Sequence, residues 1–265
     1  MKLLLETQDF ALELAKSEIE KTTNKKVTIN KNKLELEADE KDILNILHYS
    51  RLIENVTFEN QNIYGFNLQE REHIINKSES FNPLLANYLL YLLELDKEEE
   101  FTIIDPVSNF AEILIEASNF KPRTPLHLKK RLTIPAKTMF KLPITMPEKR
   151  KNQNKITAIV QNNKKFKQAK ENIVLSGQKI KLSQFELDWL DIKFEKHDFD
   201  YCISYIPKSF CKETIQQYFY MAEFITKKKI GLISEQEIPN SILKKYKLKI
   251  SKLEKINSHH LLVIE

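Results

Sequence analysis

NPLLANYLLYLLELDKEEEFTIIDPVSNFAEILIEASNF, residues 82–120, is the stretch that decides the fold. Its first half puts Leu85, Leu89, Leu92 and Leu93 on one helical face, with Pro83 in the first turn, where a missing N–H costs nothing. The acidic turn DKEEE then leads into FTIID (101–105), a run short and apolar enough for a buried strand. That run leaves through PVSNFA and enters a second helical pattern, EILIEASNF (112–120). Strand, loop and helix in this order open a βαβ crossover, the unit that builds parallel sheets.

The pattern repeats toward the C-terminus. KITAIV (155–160) predicts a second strand and KKFKQAKENIVLSG (164–177) a helix that stops at Gly177; KIKLS (179–183) predicts a third strand. FDYCISYI (199–206) follows as a fourth strand, then a helix FYMAEFITKKK (219–229) and a fifth strand IGLIS (230–234). KKYKLKISKLEKI and HHLLVIE supply a terminal antiparallel pair. The order predicts an α/β fold, with a mostly parallel sheet covered by helices on both faces.

Toward the N-terminus the rhythm changes. KLLLE (2–6) predicts a strand, 10–22 a helix, KKVTIN and KLELEA a hairpin, and 41–53 a helix capped by Asp39, with VTFEN closing the set. The order β-α-β-β-α-β predicts a small α+β domain of the ferredoxin-like kind over residues 1–62, and a Rossmann-like domain over 63–265. Residues 63–80 read as a connecting ribbon.

Apolar residues make up 42% of the 265 and charged residues 30%, ordinary for a globular protein. No apolar run approaches the roughly 18 residues of a membrane span, and MKLLLETQDF is no secretory leader, so a cytoplasmic protein without membrane contact is expected. Cys202 and Cys211 stand apart from any Cys/His cluster, which points to neither a disulfide nor a metal site. Between Lys121 and Lys155 there are eleven Lys/Arg against the single carboxylate Glu148, whereas the whole chain is only +5. A segment so one-sided predicts a polyanionic partner, with Lys129, Lys130, Arg131, Lys149, Arg150 and Lys151 outward as an RNA-binding surface. Trp189 reads as core or rim, His259 and His260 as solvated strand residues, residues 218–224 as helical core, and Cys202 as a buried strand residue.

The order of elements, ending on an antiparallel pair, resembles the class I S-adenosylmethionine (SAM) methyltransferases. Residues 82–120 narrow the likeness to the tRNA and rRNA guanine-N2 methyltransferases that usually carry a THUMP domain. There the corresponding stretch runs roughly D-P-F-C-G-S-G-T-x-L-I-E-A, matched here by Asp105, Pro106 and by Ile113 to Ala117. KQAKENIVLSG resembles that family's second helix. DFDYCISYIPKSF is similar to its target-base motif, D-x-(I/V)-(I/V)-(T/S)-(N/D)-P-P-Y-G. The resemblance covers about residues 63–265; the small front domain also resembles that family's N-terminal ferredoxin-like domain, and the roughly twenty residues between the two leave no room for a THUMP module there. It implies SAM as cofactor, held by Asp105, Pro106, Ser108 and Asn109, with Glu186 or Asp188 on the adenine. It also implies structured RNA, tRNA foremost, as partner.

The departures from the family pattern fall at its chemistry. Val107 to Ala111 contain no glycine, so Asn109 is expected to stand in for a left-handed glycine while Phe110 adds bulk. Val160 or Gln161 occupies the position of the ribose-binding acid. At the target-base loop only Pro207 fits; Tyr205 replaces the Asn/Asp that accepts a hydrogen bond from the amine of a flipped base. The combined reading is an RNA methyltransferase-like protein with eroded SAM and base motifs. It would bind RNA, methylate weakly or not at all, and support an active methyltransferase subunit. The alternatives are an active guanine-N2 enzyme with divergent loops, or a protein-interaction scaffold.

Overall fold

The computed structural model describes residues 2–58, 61–65, 82–120 and 154–265. These fall into two compact units, residues 2–65 and residues 82–120 with 154–265. The six basic residues assigned above to RNA binding, and the ribbon beyond Gly65, lie outside the described residues.

The first unit is a five-stranded antiparallel sheet of β1 (Lys2–Glu6), β2 (Thr28–Asn30), β3 (Lys33–Glu37), β4 (Asn55–Phe58) and β5 (Gln61–Gly65), in the order β2-β3-β1-β4-β5. Two helices, α1 (Leu12–Thr23) and α2 (Glu40–Tyr49), complete it. Without β5 this is the ferredoxin-like order. The sheet continues through Gly65, three residues past the boundary expected at 62. Alternation decides which face is covered: Leu3 and Leu5 of β1, and Leu34 and Leu36 of β3, are buried. Asp39 caps α2 through a reciprocal pair, its side chain accepting from the Asp42 N–H while Asp42 accepts from the Asp39 N–H. The helix stops at Tyr49, short of the expected 53, because Glu18 captures the chain that follows. Its buried carboxylate accepts from the Ser50 hydroxyl at 2.7 Å and from the N–H groups of Arg51 and Leu52. Those amides would otherwise have continued the helical ladder.

The second unit contains α3 (Pro83–Leu92), β6 (Thr102–Asp105), α4 (Glu112–Phe120), β7 (Lys155–Ile159), α5 (Asn163–Ser176), β8 (Lys181–Ser183), α6 (Leu190–Lys193), β9 (Phe199–Ile206), α7 (Lys212–Ile225), β10 (Thr226–Ser234), α8 (Asn240–Lys245), β11 (Ile250–Ile256) and β12 (His259–Ile264). Its seven strands lie in the order β11-β12-β10-β9-β6-β7-β8. The pairs from β8 across to β10 are parallel, and β12 enters antiparallel between β10 and β11. Order therefore reverses between β6 and β9, and the C-terminal ends of those strands form the crevice where open α/β sheets place ligands.

In the second unit α7 departs furthest from its expected bounds. The stretch assigned to 219–229 begins at Lys212 and ends at Ile225, so Thr226–Lys229 are strand. Ile215, Tyr218, Phe219, Ala222 and Ile225 recur at helical spacing and are all buried, while Thr226 pairs with Phe199 ahead of a register shift. Gly177 is the left-handed residue after α5, with φ 67°. Gly231 has a packing reason instead. A Cβ there would stand 2.6 Å from Leu93 Cδ1, so its absence lets the chain after α3 lie close on β10.

Candidate functional site

The loop after β6 is tied down at nearly every residue. Asp105 Oδ1, at the buried end of the strand, accepts from the Val107 N–H at 3.2 Å and from the Ser204 hydroxyl of β9 at 2.7 Å. The Ser108 N–H donates to Ile159 O at the end of β7, Lys165 Nζ donates to Asn109 Oδ1 at 2.7 Å, and Asn172 Nδ2 donates to Phe110 O. Ala111 then turns the chain into α4 with φ 61°, its carbonyl accepting the Ile115 N–H. The left-handed position assigned to Asn109 therefore falls on Ala111. The turn is needed where the loop meets the helix, and Asn109 is occupied by Lys165. An alanine there bears about 1–2 kcal/mol of backbone strain that a glycine would not.

Above this loop lies a cavity of about 420 Å³, within the size range of small-molecule sites. Asn82 and Leu85 at the start of α3 form one wall, and Asp105, Val107 to Ala111, Glu112 and Ile113 form the floor. Tyr205, Glu235 and His259 close the far side. These last three come from the end of β9, the residue after β10 and the start of β12. Strand pairing brings them to one edge: the Glu235 N–H donates to Ile206 O, and Ser234 sits opposite His260. Among the described residues no Lys or Arg lines the cavity, and neither does any residue of Lys155–Lys193.

Asp105, Glu112 and Glu235 thus face one space, and the first and last of them are in different states. Burial pushes Asp105 up to about 7, against the stabilising hydrogen bonds from Ser204 and the Val107 N–H and the nearby Ser108 hydroxyl. Glu235 is held below the usual carboxylate range, chiefly by the hydrogen bond from Tyr205, with the Lys208 N–H (3.1 Å) and His259 adding to it. Burial and that same carboxylate push Tyr205 well above the ordinary tyrosine range, so the phenol stays protonated. His259 Nε2 lies 3.9 Å from Glu235 Oε1 and its ring 6.4 Å from the Tyr205 ring. Burial lowers its affinity for a proton, and Glu235 partly restores it. Ser108 Oγ is buried and makes no geometric hydrogen bond among the described residues.

Of the residues singled out from sequence, Asp105, Ser108, Asn109 and Tyr205 share this cavity. Pro106 is buried beneath the loop and Pro207 opens the turn closed by the Phe210 N–H; neither lines the cavity. Glu186 precedes the 3-10 turn Leu187–Trp189 and Asp188 lies within it; both are exposed and off the wall. Gln161 is exposed and Val160 buried at the end of β7. Trp189 is half exposed, a rim residue. Cys202 is fully buried against the Tyr218 hydroxyl, and burial pushes its thiol up to about 12. Asn82, Glu112, Glu235 and His259 were not anticipated. His259 read as solvated because strand alternation alone does not reveal a neighbour's end, and Glu235 follows an apolar strand with no motif around it.

The sheet order, with its antiparallel strand inserted next to the edge, is that of the Rossmann-like class I methyltransferases, and the fold is theirs. No protein-family model matches the chain, and no curated protein does. Among solved structures it is similar to a predicted N6-adenine-specific DNA methylase from Listeria monocytogenes, at 12% identity and TM-score 0.69 over 99% of this chain and 95% of that one. It is similar to TrmN from Thermus thermophilus, at 11% identity and TM-score 0.66 over 100% and 99%. A structure described as that of a methyltransferase complexed with SAH aligns at 11% identity and TM-score 0.67 over 99% and 97%. At such identities the likeness establishes the fold. No helix among the described residues is long and apolar enough to cross a membrane.

Proposed function

We propose that this chain is an RNA-directed, methyltransferase-like protein. It binds structured RNA, tRNA first among candidates, through the basic segment 121–155, and it holds SAM over the loop 105–112. Transfer to a guanine N2 amine is slow or lost. The observation that carries the reading is Tyr205. It stands at the position of the acceptor Asn or Asp in the resembled family, and its hydroxyl is already donated to Glu235. A phenol so engaged has no amide or carboxylate oxygen to polarise an amine.

On the donor side, the left-handed Ala111 keeps a glycine-like course for the loop. Asp105 and Ser108 line the cavity, so polar residues remain for the amino-acid end of SAM. Bound there, SAM would supply an electrophilic methyl group. The adenosine end finds less: Val160 or Gln161 stands where an acid would grip the ribose, and Lys165 is tied to Asn109. The fit supports weak binding rather than none. A methyltransferase partner subunit would then supply the rate this chain lacks.

Calorimetric titration of the purified protein with SAM, alongside transfer of labelled methyl from SAM to bulk tRNA, tests the reading. Weak SAM binding and firm tRNA binding with little label transferred are expected. Multiple turnovers onto guanine N2 would overturn the claim of lost transfer. The absence of any tRNA affinity would overturn the RNA assignment.

A further inference from the structure

We propose that Glu235, set in place by Tyr205 and the Lys208 amide, is the acceptor that receives the exocyclic amino group of a nucleobase in this cavity. The acceptor has thus moved from the end of β9 to the end of the neighbouring strand. The inference rests on the RNA-directed reading above and specifies its base-side site.

The shift is one strand wide. Tyr205 pairs with Ile233 and Ile206 with Ser234 across β9 and β10, so Glu235 lies just beyond the strand neighbour of the family's acceptor position. The Glu235 N–H on Ile206 O fixes its backbone, and the Lys208 N–H on Oε2 fixes its side chain. Tyr205 is a neutral donor aimed at the carboxylate, which leaves Glu235 an anionic acceptor with lone pairs to spare. Tyr205 also brings an aromatic ring to the same wall, a surface for a base to stack on.

The rest of the lining bears on what Glu235 would meet: the other charged side chains there are the carboxylates Asp105 and Glu112. With no Lys or Arg in the described wall, the chemistry favours an N–H donor over a phosphate. Guanine and adenine both present such an amine, and recognising it is a step separate from methylating it. Glu235 accounts for the first.

The test titrates the full chain with four nucleosides. Guanosine is compared with inosine, which lacks the 2-amino group, and adenosine with purine riboside, which lacks the 6-amino group. Wild-type protein is expected to prefer one amine-bearing member by about tenfold or more, because without the amine the lone pairs that Tyr205 and Lys208 leave free are desolvated with no donor to meet them. The pair that shows the preference identifies the base. Glu235→Ala should bring that pair within about twofold, and Glu235→Gln, closer in shape, should cut the preference part way. Circular-dichroism melting of each variant checks that it folds. No preference in the wild type, no nucleoside binding at all, or a full preference in Glu235→Ala overturns the proposal. Affinity for tRNA, measured in parallel, separates the two readings: its absence removes the RNA assignment, and its presence without nucleoside discrimination removes only Glu235.

Discussion

Asp105 is a carboxylate at the end of a buried strand, with a folded-state pKa of about 7 caused by burial. A carboxyl with a raised pKa binds its proton more tightly folded than unfolded, so its contribution to stability is greatest at low pH. That contribution falls as pH climbs from the ordinary aspartate range through about 7. Chemical denaturation of wild type and Asp105→Asn at several pH values should show the wild type losing stability over this window relative to the variant. A constant difference would mean Asp105 titrates normally. Ala111 yields the opposite kind of prediction: Ala111→Gly should stabilise the protein by about 1 kcal/mol, since the left-handed turn is kept and the Cβ strain removed. Glu18 ties α1 to the chain after α2 in the first unit. Glu18→Ala strands the amides of Arg51 and Leu52 and the Ser50 hydroxyl in a buried corner, and a loss of roughly 3 kcal/mol in urea unfolding is expected.

At the scale of elements, the packing of α3 and its following turn on β10 is set by one missing Cβ. Gly231→Ala should destabilise by about 1–3 kcal/mol through overlap with Leu93, and adding Leu93→Ala should recover part of that loss. Additive losses in the double mutant would show that the two positions do not touch. Most elements were legible as periodicity. The strands at 102–105, 155–159 and 199–206 are short runs dominated by apolar and aromatic residues, and α4 occupies the very residues its pattern marks. Their ends were less so. Helix α2 stops early because a distant glutamate competes for its amides, and Thr226–Lys229 become strand because Phe199 is there to pair with them. Local propensity is silent on partners about thirty residues away.

For the whole molecule, charge is the feature read most directly from composition. Replacing Lys149, Arg150 and Lys151 by Glu should weaken tRNA binding and flatten its dependence on salt, by about 0.9 in the logarithmic slope for each phosphate that is no longer neutralised. An unchanged slope by filter binding would place the RNA surface elsewhere. The cavity meanwhile carries carboxylates and no described cation, so the proposed RNA-directed function assigns the nucleic-acid backbone to the basic segment and a base to the cavity.

Sequence alone determined that seven strands and their helices alternate as in a methyltransferase-type sheet, that a small α+β unit precedes them, and that the glycine and acceptor positions of the resembled family are occupied by other residues. These follow from periodicity and residue type, which are local properties. Only the tertiary structure decided that Ala111, not Asn109, takes the left-handed turn, and that Glu235 and His259 stand beside Tyr205. Both depend on which strand ends lie next to one another, and hydrogen bonding between segments far apart in the chain settles that.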